Sequence, residues 1–92
     1  MRVLLVEDDE ILGDGLRAGL KQAGYTVDWV TDGQSASNAI TDNEFDLVVL
    51  DINLPKMSGL EVLRNIRKMG KTTPILLLTA MDSVPDRVAG LD

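Results

Sequence analysis

Three apolar runs punctuate the chain: Val3-Leu4-Leu5-Val6, Leu47-Val48-Val49-Leu50 and Ile75-Leu76-Leu77-Leu78, each followed by polar residues. Runs without alternation suit strands buried on both faces, as in a parallel sheet covered by helices. The segment Tyr25 to Val30 alternates instead, with Tyr25, Val27 and Trp29 on one face and Thr26 and Asp28 on the other. That pattern predicts an edge strand. Between the strands the spacing turns helical, through Leu12, Leu16 and Leu20 and again through Leu60, Leu63, Ile66 and Met69. Gly24 and Gly70 fall where C-terminal caps belong. Ser58 and Glu61 have capping-box spacing, with Met57 placed to staple against Val62. A weaker, Ala-lined helix is expected around Gln34 to Ile40. Gly13, Gly15 and Gly19 cost the first helix about 1 kcal/mol each against Ala, and close packing on the sheet is the expected reason.

The order β-α-β-α-β-α-β-α implies right-handed crossovers and an open, doubly wound α/β sheet. With the amphipathic second strand at an edge, the flavodoxin-like order 2-1-3-4 follows. The fourth strand would be the other edge, yet Ile75 to Leu78 carries neither charge nor proline to protect it. Another strand is therefore expected to cover it, from residues beyond Asp92 or from a second chain.

Composition narrows the chemistry. The 92 residues contain no cysteine and no histidine, which excludes disulfides, thiolate or imidazole metal sites and Ser-His triads. A metal would need oxygen ligands. No apolar run nears the ~20 residues of a membrane span, and acid arrives too early for a signal peptide, so a cytoplasmic setting is expected. The net charge of -6 is uneven: residues 1–51 carry 11 acids and 3 bases, residues 52–92 carry 4 acids and 6 bases. So acidic a first half argues against a direct grip on nucleic acid.

In an open parallel sheet, ligands bind beyond the C-terminal ends of the strands. Glu7, Asp8, Asp9 and Glu10 follow the first run, Asp51-Ile52-Asn53-Leu54-Pro55 the third, and Thr79 and Ala80 the fourth. Taken singly, each has a plainer reading: a helix N-cap and first turn, a polar strand stop, a turn hydroxyl. Together they put several carboxylates and a hydroxyl on one rim. Crowded carboxylates repel unless a cation neutralises them, and Mg²⁺ suits one or two carboxylates with waters and a phosphate. An Asp so placed can attack phosphorus and form an acyl phosphate, with Asp51 the central candidate.

The stretches Val3 to Asp9, Leu47 to Gly59 and Pro74 to Ala80 together resemble the response-regulator receiver domain of two-component signalling, across nearly the whole chain. Asp86 to Leu91 further resembles the subclass joined to a winged-helix DNA-binding domain. The resemblance implies that Asp51 accepts a phosphoryl group from a sensor histidine kinase. It also implies that Glu7, Asp8, Asp51 and the Asn53 backbone carbonyl serve Mg²⁺, Glu7 through water, while the Thr79 hydroxyl turns toward the phosphoryl oxygens as a switch. Asp9 receives no ligand role. Receivers continue into a fifth strand with a phosphoryl-pairing Lys and a fifth helix; Lys56, Lys68 and Lys71 do not match that position. Residues 1–92 are thus expected to form a receiver truncated before its fifth strand, regulating transcription through an output domain not in this chain, which alone would touch DNA. No membrane contact is expected, and a homodimer or segment-swapped dimer stays open.

A regulatory phosphoacceptor with only self-catalysed phosphotransfer and dephosphorylation is not a metabolic enzyme. Two alternatives remain. One is a receiver-like interaction module that is never phosphorylated. The other is an aspartate-nucleophile phosphatase, which Asn53 disfavours, because such enzymes carry a second acid there. Trp29, on the far strand, is expected to lie too distant to report on the acidic rim.

Overall fold

The first apolar run forms β1 (Arg2–Val6), and its neighbours follow in turn: α1 (Glu10–Gln22), β2 (Thr26–Val30), α2 (Gly33–Asp42), β3 (Leu47–Asp51), α3 (Gly59–Lys68), β4 (Ile75–Leu78) and β5 (Val88–Leu91). This computed structural model describes residues 1–78 and 88–91. The sheet order is β2-β1-β3-β4-β5, with the first four strands parallel and β5 antiparallel to β4. The 2-1-3-4 core and the amphipathic edge strand therefore stand as the sequence predicts.

Because side chains alternate along a strand, the unbroken apolar runs feed two cores. Leu4, Val6, Val48, Leu50, Ile75 and Leu77 face α2 and α3 and pack with Ala36, Ile40, Val62 and Ile66. Val3, Leu5 and Val49 face the other way, where Leu16 and Leu20 of α1 and Val27 and Trp29 of β2 pack against them. Asp28 points away from that second core and pairs with Arg2 at 2.6 Å.

The helix ends follow local chemistry. Asp9 caps α1, its carboxylate accepting from the Ile11 and Leu12 N–H groups; Asp32 caps α2 through Ser35 N–H; and the Ser58 hydroxyl caps α3 through Glu61 N–H. The Asp32 carboxyl is held below its usual range, chiefly by that Ser35 N–H. Gly24 and Gly70 take positive φ (98° and 81°) directly after the C-caps of α1 and α3, a conformation that favours glycine.

Three expectations need correction. The buried face of α3 is Gly59, Val62 and Ile66, while Leu60 and Met69 are exposed, so the helix is rotated from the face that the Leu60-Leu63-Ile66-Met69 spacing marked. Of the three α1 glycines only Gly13 is closely packed, against the Trp29 ring; a Cβ at Gly15 or Gly19 would meet nothing. The fourth helix expected after Ala80 falls largely on residues 79–87, which lie outside the described residues. Val88–Leu91 pairs antiparallel with β4, so a segment of this chain lies along the edge for which a strand from beyond Asp92 or from a second chain was expected. The physical reason is the one that marked that edge: a row of unpaired N–H and C=O groups templates another strand.

Candidate functional site

Register brings the acids together. Val6 pairs with Leu50 across β1 and β3, so Glu7, one residue beyond, comes level with Asp51 at the end of β3. Asp51 in turn pairs with Leu78, the last residue of β4. Glu7, Asp8 and Asp51 each offer a carboxylate oxygen, and the three atoms lie within 4.8 Å of one another. Thr79 follows Leu78 in sequence but lies outside the described residues.

The carboxylates differ in setting. Glu7 is buried, with 1% of its surface exposed, whereas Asp51 is half-buried and Asp8 exposed. One Glu7 oxygen, Oε2, accepts from the Asp9 N–H at 3.1 Å; the other, Oε1, is buried without a partner. Burial pushes the Glu7 carboxyl up to about 7, the Asp9 N–H opposes that rise, and Asp51 and Asp8 add to it. A buried, unpartnered acceptor among negative groups has the character of a cation ligand waiting for its charge. Together with the Asp8 and Asp51 oxygens it makes a set of three oxygen donors, which matches the preference of a hard divalent ion such as Mg²⁺.

Main-chain contacts fix the Asp51 loop. Asp51 Oδ1 accepts from the Asn53 N–H at 3.0 Å, Ile52 N–H donates to Leu78 O at 3.0 Å, and Gly59 N–H donates to Ile52 O at 2.9 Å. Gly59 has to be glycine, because a Cβ would collide with the Asp51 carbonyl and the Ile52 Cα. The N-terminus of α3 thereby sits against the backbone that carries Asp51. Asn53 is exposed. Lys56 holds a positive φ of 68° in the same loop, while Lys71 pairs with Glu44 at 3.3 Å, before the N-terminal ends of β3 and β4.

Residues 3–92 match the response regulator receiver domain, nearly the whole chain. The chain belongs to the response regulator receiver family. Among relatives of this receiver domain, the response regulator protein PmrA of Pseudomonas aeruginosa is 65% identical over 92 residues, and the transcriptional regulatory protein QseB of Haemophilus influenzae 50% over 91. The matches take in 100% and 99% of this chain but only 42% and 41% of those proteins. Among solved structures, the response regulator TrrA of Thermotoga maritima, in complex with Mg²⁺-BeF, is 40% identical with a TM-score of 0.82, covering 87% of this chain and 70% of that one. The receiver domain of a sensor histidine kinase from Pseudomonas aeruginosa, with magnesium in its active-site cleft, is 34% identical with a TM-score of 0.84, covering 94% and 72%.

Two contributors to the receiver's acidic rim escaped the sequence. Gly59 was visible only as the residue after a capping serine, with nothing to show how closely it meets Asp51. Trp29, expected to be remote, donates its indole N–H to the Glu7 backbone carbonyl at 2.9 Å. An edge strand pairs directly with the strand that carries the site, and that adjacency was already implicit in the order 2-1-3-4.

Proposed function

We propose that this receiver domain is a phosphorylation-dependent switch in which Asp51 accepts a phosphoryl group from a sensor histidine kinase. The observation that carries this reading is the convergence of Glu7, Asp8 and Asp51 at neighbouring strand ends, with one buried Glu7 oxygen unpartnered. Mg²⁺ held by Asp8 and Asp51, by Glu7 through water and by the Asn53 carbonyl would offset the charge of these carboxylates and that of the incoming phosphoryl oxygens.

The protein's own part is positioning. The Asn53 N–H holds Asp51 Oδ1, which leaves Oδ2 to attack phosphorus. A P–O bond to Asp51 forms as the donor's P–N bond breaks, and the electron pair of that bond stays with the donor imidazole. The product is an acyl phosphate on Asp51. The Thr79 hydroxyl, beyond the strand paired with Asp51, would then donate to a phosphoryl oxygen and turn the chemical event into a conformational one.

On this reading residues 1–92 are the receiver portion of a cytoplasmic, two-domain transcription regulator. The relatives named above are more than twice as long, and one is named as a transcriptional regulator. DNA would be touched only by the remaining part. The test is incubation with acetyl phosphate, with Mg²⁺ or with EDTA, followed by intact mass. A single phosphoryl adduct that requires Mg²⁺ is expected. No adduct, in this chain or in the full-length protein, would overturn the reading in favour of an interaction module.

A further inference from the structure

We infer that Trp29 is a positioning residue for the acidic cluster, holding the Glu7 main chain from the neighbouring strand and reporting occupancy of the cation site. Glu7 stands just past the end of β1, where the backbone would otherwise be free to splay. Both its peptide groups are instead tied to β2: its N–H donates to Val30 O at 3.1 Å, and its carbonyl accepts from the Trp29 indole at 2.9 Å. Its side chain has one further tie, Asp9 N–H to Oε2, so the unpartnered Oε1 is aimed by a backbone fixed at both ends.

The surroundings are shaped around that indole. Gly13 of α1 lies against the ring so closely that a Cβ there would overlap its six-membered portion. The absent side chain explains why a helix interior tolerates this glycine. Arg17, one turn further along α1, places its guanidinium 5.5 Å from the ring centroid. Phenylalanine would fill much of the same space but has no N–H to give Glu7.

This inference rests on the reading of the cluster as a Mg²⁺ site, and the experiment separates the two. Mg²⁺ is titrated into ¹⁵N-labelled wild-type chain, Trp29→Phe and Val27→Ala, following the amide signals of Asp8 and Asp51 and, in chains that keep Trp29, its indole N–H signal. Val27 lies on the same face of β2 but is no part of the site, so its truncation controls for packing loss. A single neutral hydrogen bond sets the expected scale: Mg²⁺ affinity of Trp29→Phe falls about 2- to 10-fold, Val27→Ala binds like wild type, and the wild-type indole signal shifts with the same midpoint as Asp51. If Asp51 responds to Mg²⁺ while the indole stays still and Trp29→Phe binds as wild type does, the inference fails and the metal site stands. No Mg²⁺ response at Asp8 or Asp51 would overturn both. Should Trp29→Phe not fold, the wild-type indole titration decides alone.

Discussion

Replacing Glu7 with glutamine should stabilise the metal-free protein, which is the opposite of what removing a buried side chain's interactions usually does. The carboxyl is pushed from 4.5 up to about 7, first by burial and then by Asp51 and Asp8. At about 1.36 kcal/mol per tenfold change in proton affinity, that rise corresponds to about 3 kcal/mol. Solvent at the open rim, where Asp8 is exposed, screens part of it and leaves about 1–3 kcal/mol. The sign follows from which form the fold prefers. Below pH 4.5 Glu7 is protonated in folded and unfolded chains alike. Between 4.5 and about 7 the unfolded chain releases the proton while the folded one retains it, so metal-free wild type loses stability as pH rises through this window. Glu7→Gln has no proton to lose. Its amide can still accept from Asp9 N–H and can donate toward Asp51.

Urea unfolding in EDTA, followed by Trp29 fluorescence from pH 4 to 8, measures the difference. It should grow from near zero below pH 4.5 to a plateau of about 1–3 kcal/mol above pH 7 in favour of the variant. Adding Mg²⁺ at ten times its Kd should return about 1.4 kcal/mol to wild type and less to Glu7→Gln. A pH-independent difference, or a wild type more stable than the variant in EDTA at pH 8, would refute the reasoning.

Other consequences are simpler to state. Gly59→Ala forces a methyl into the Asp51 carbonyl; it should cost about 1–3 kcal/mol in chemical denaturation and slow acetyl phosphate labelling at matched folded concentration. Ile66→Ala should cost about 2–5 kcal/mol, whereas Leu60→Ala, on the exposed side of α3, should cost about 1 kcal/mol or less. Similar losses at both positions in urea melts would contradict the observed rotation of that helix.

Much of the fold was legible because the sheet writes itself plainly: uninterrupted aliphatic runs mark strands with two covered faces, and Tyr25 to Val30 marks an edge. The clustering of Glu7, Asp8 and Asp51 was legible because acids at strand ends fall together under any 2-1-3 order. What escaped depends on contacts between elements. Spacing gives a helix its period but not its rotation, and in α3 the short anchor Gly59 settles the phase by requiring contact with the Asp51 backbone. Gly13, Gly15 and Gly19 look alike in sequence, yet only Gly13 faces the Trp29 ring. The antiparallel β5 answers the bare edge of β4, a partner that reading Asp86 to Leu91 by itself did not suggest.

The most direct measurement is the position of the phosphoryl group itself. After labelling with acetyl phosphate and Mg²⁺, borohydride reduction converts an aspartyl phosphate to homoserine, which peptide mass mapping assigns to a residue. Homoserine at position 51 alone, absent when EDTA replaces Mg²⁺ and absent from Asp51→Asn, is the expected result. Modification at Asp8 or Glu7, or at position 51 regardless of Mg²⁺, would contradict the assignment of Asp51 as a metal-dependent phosphoacceptor.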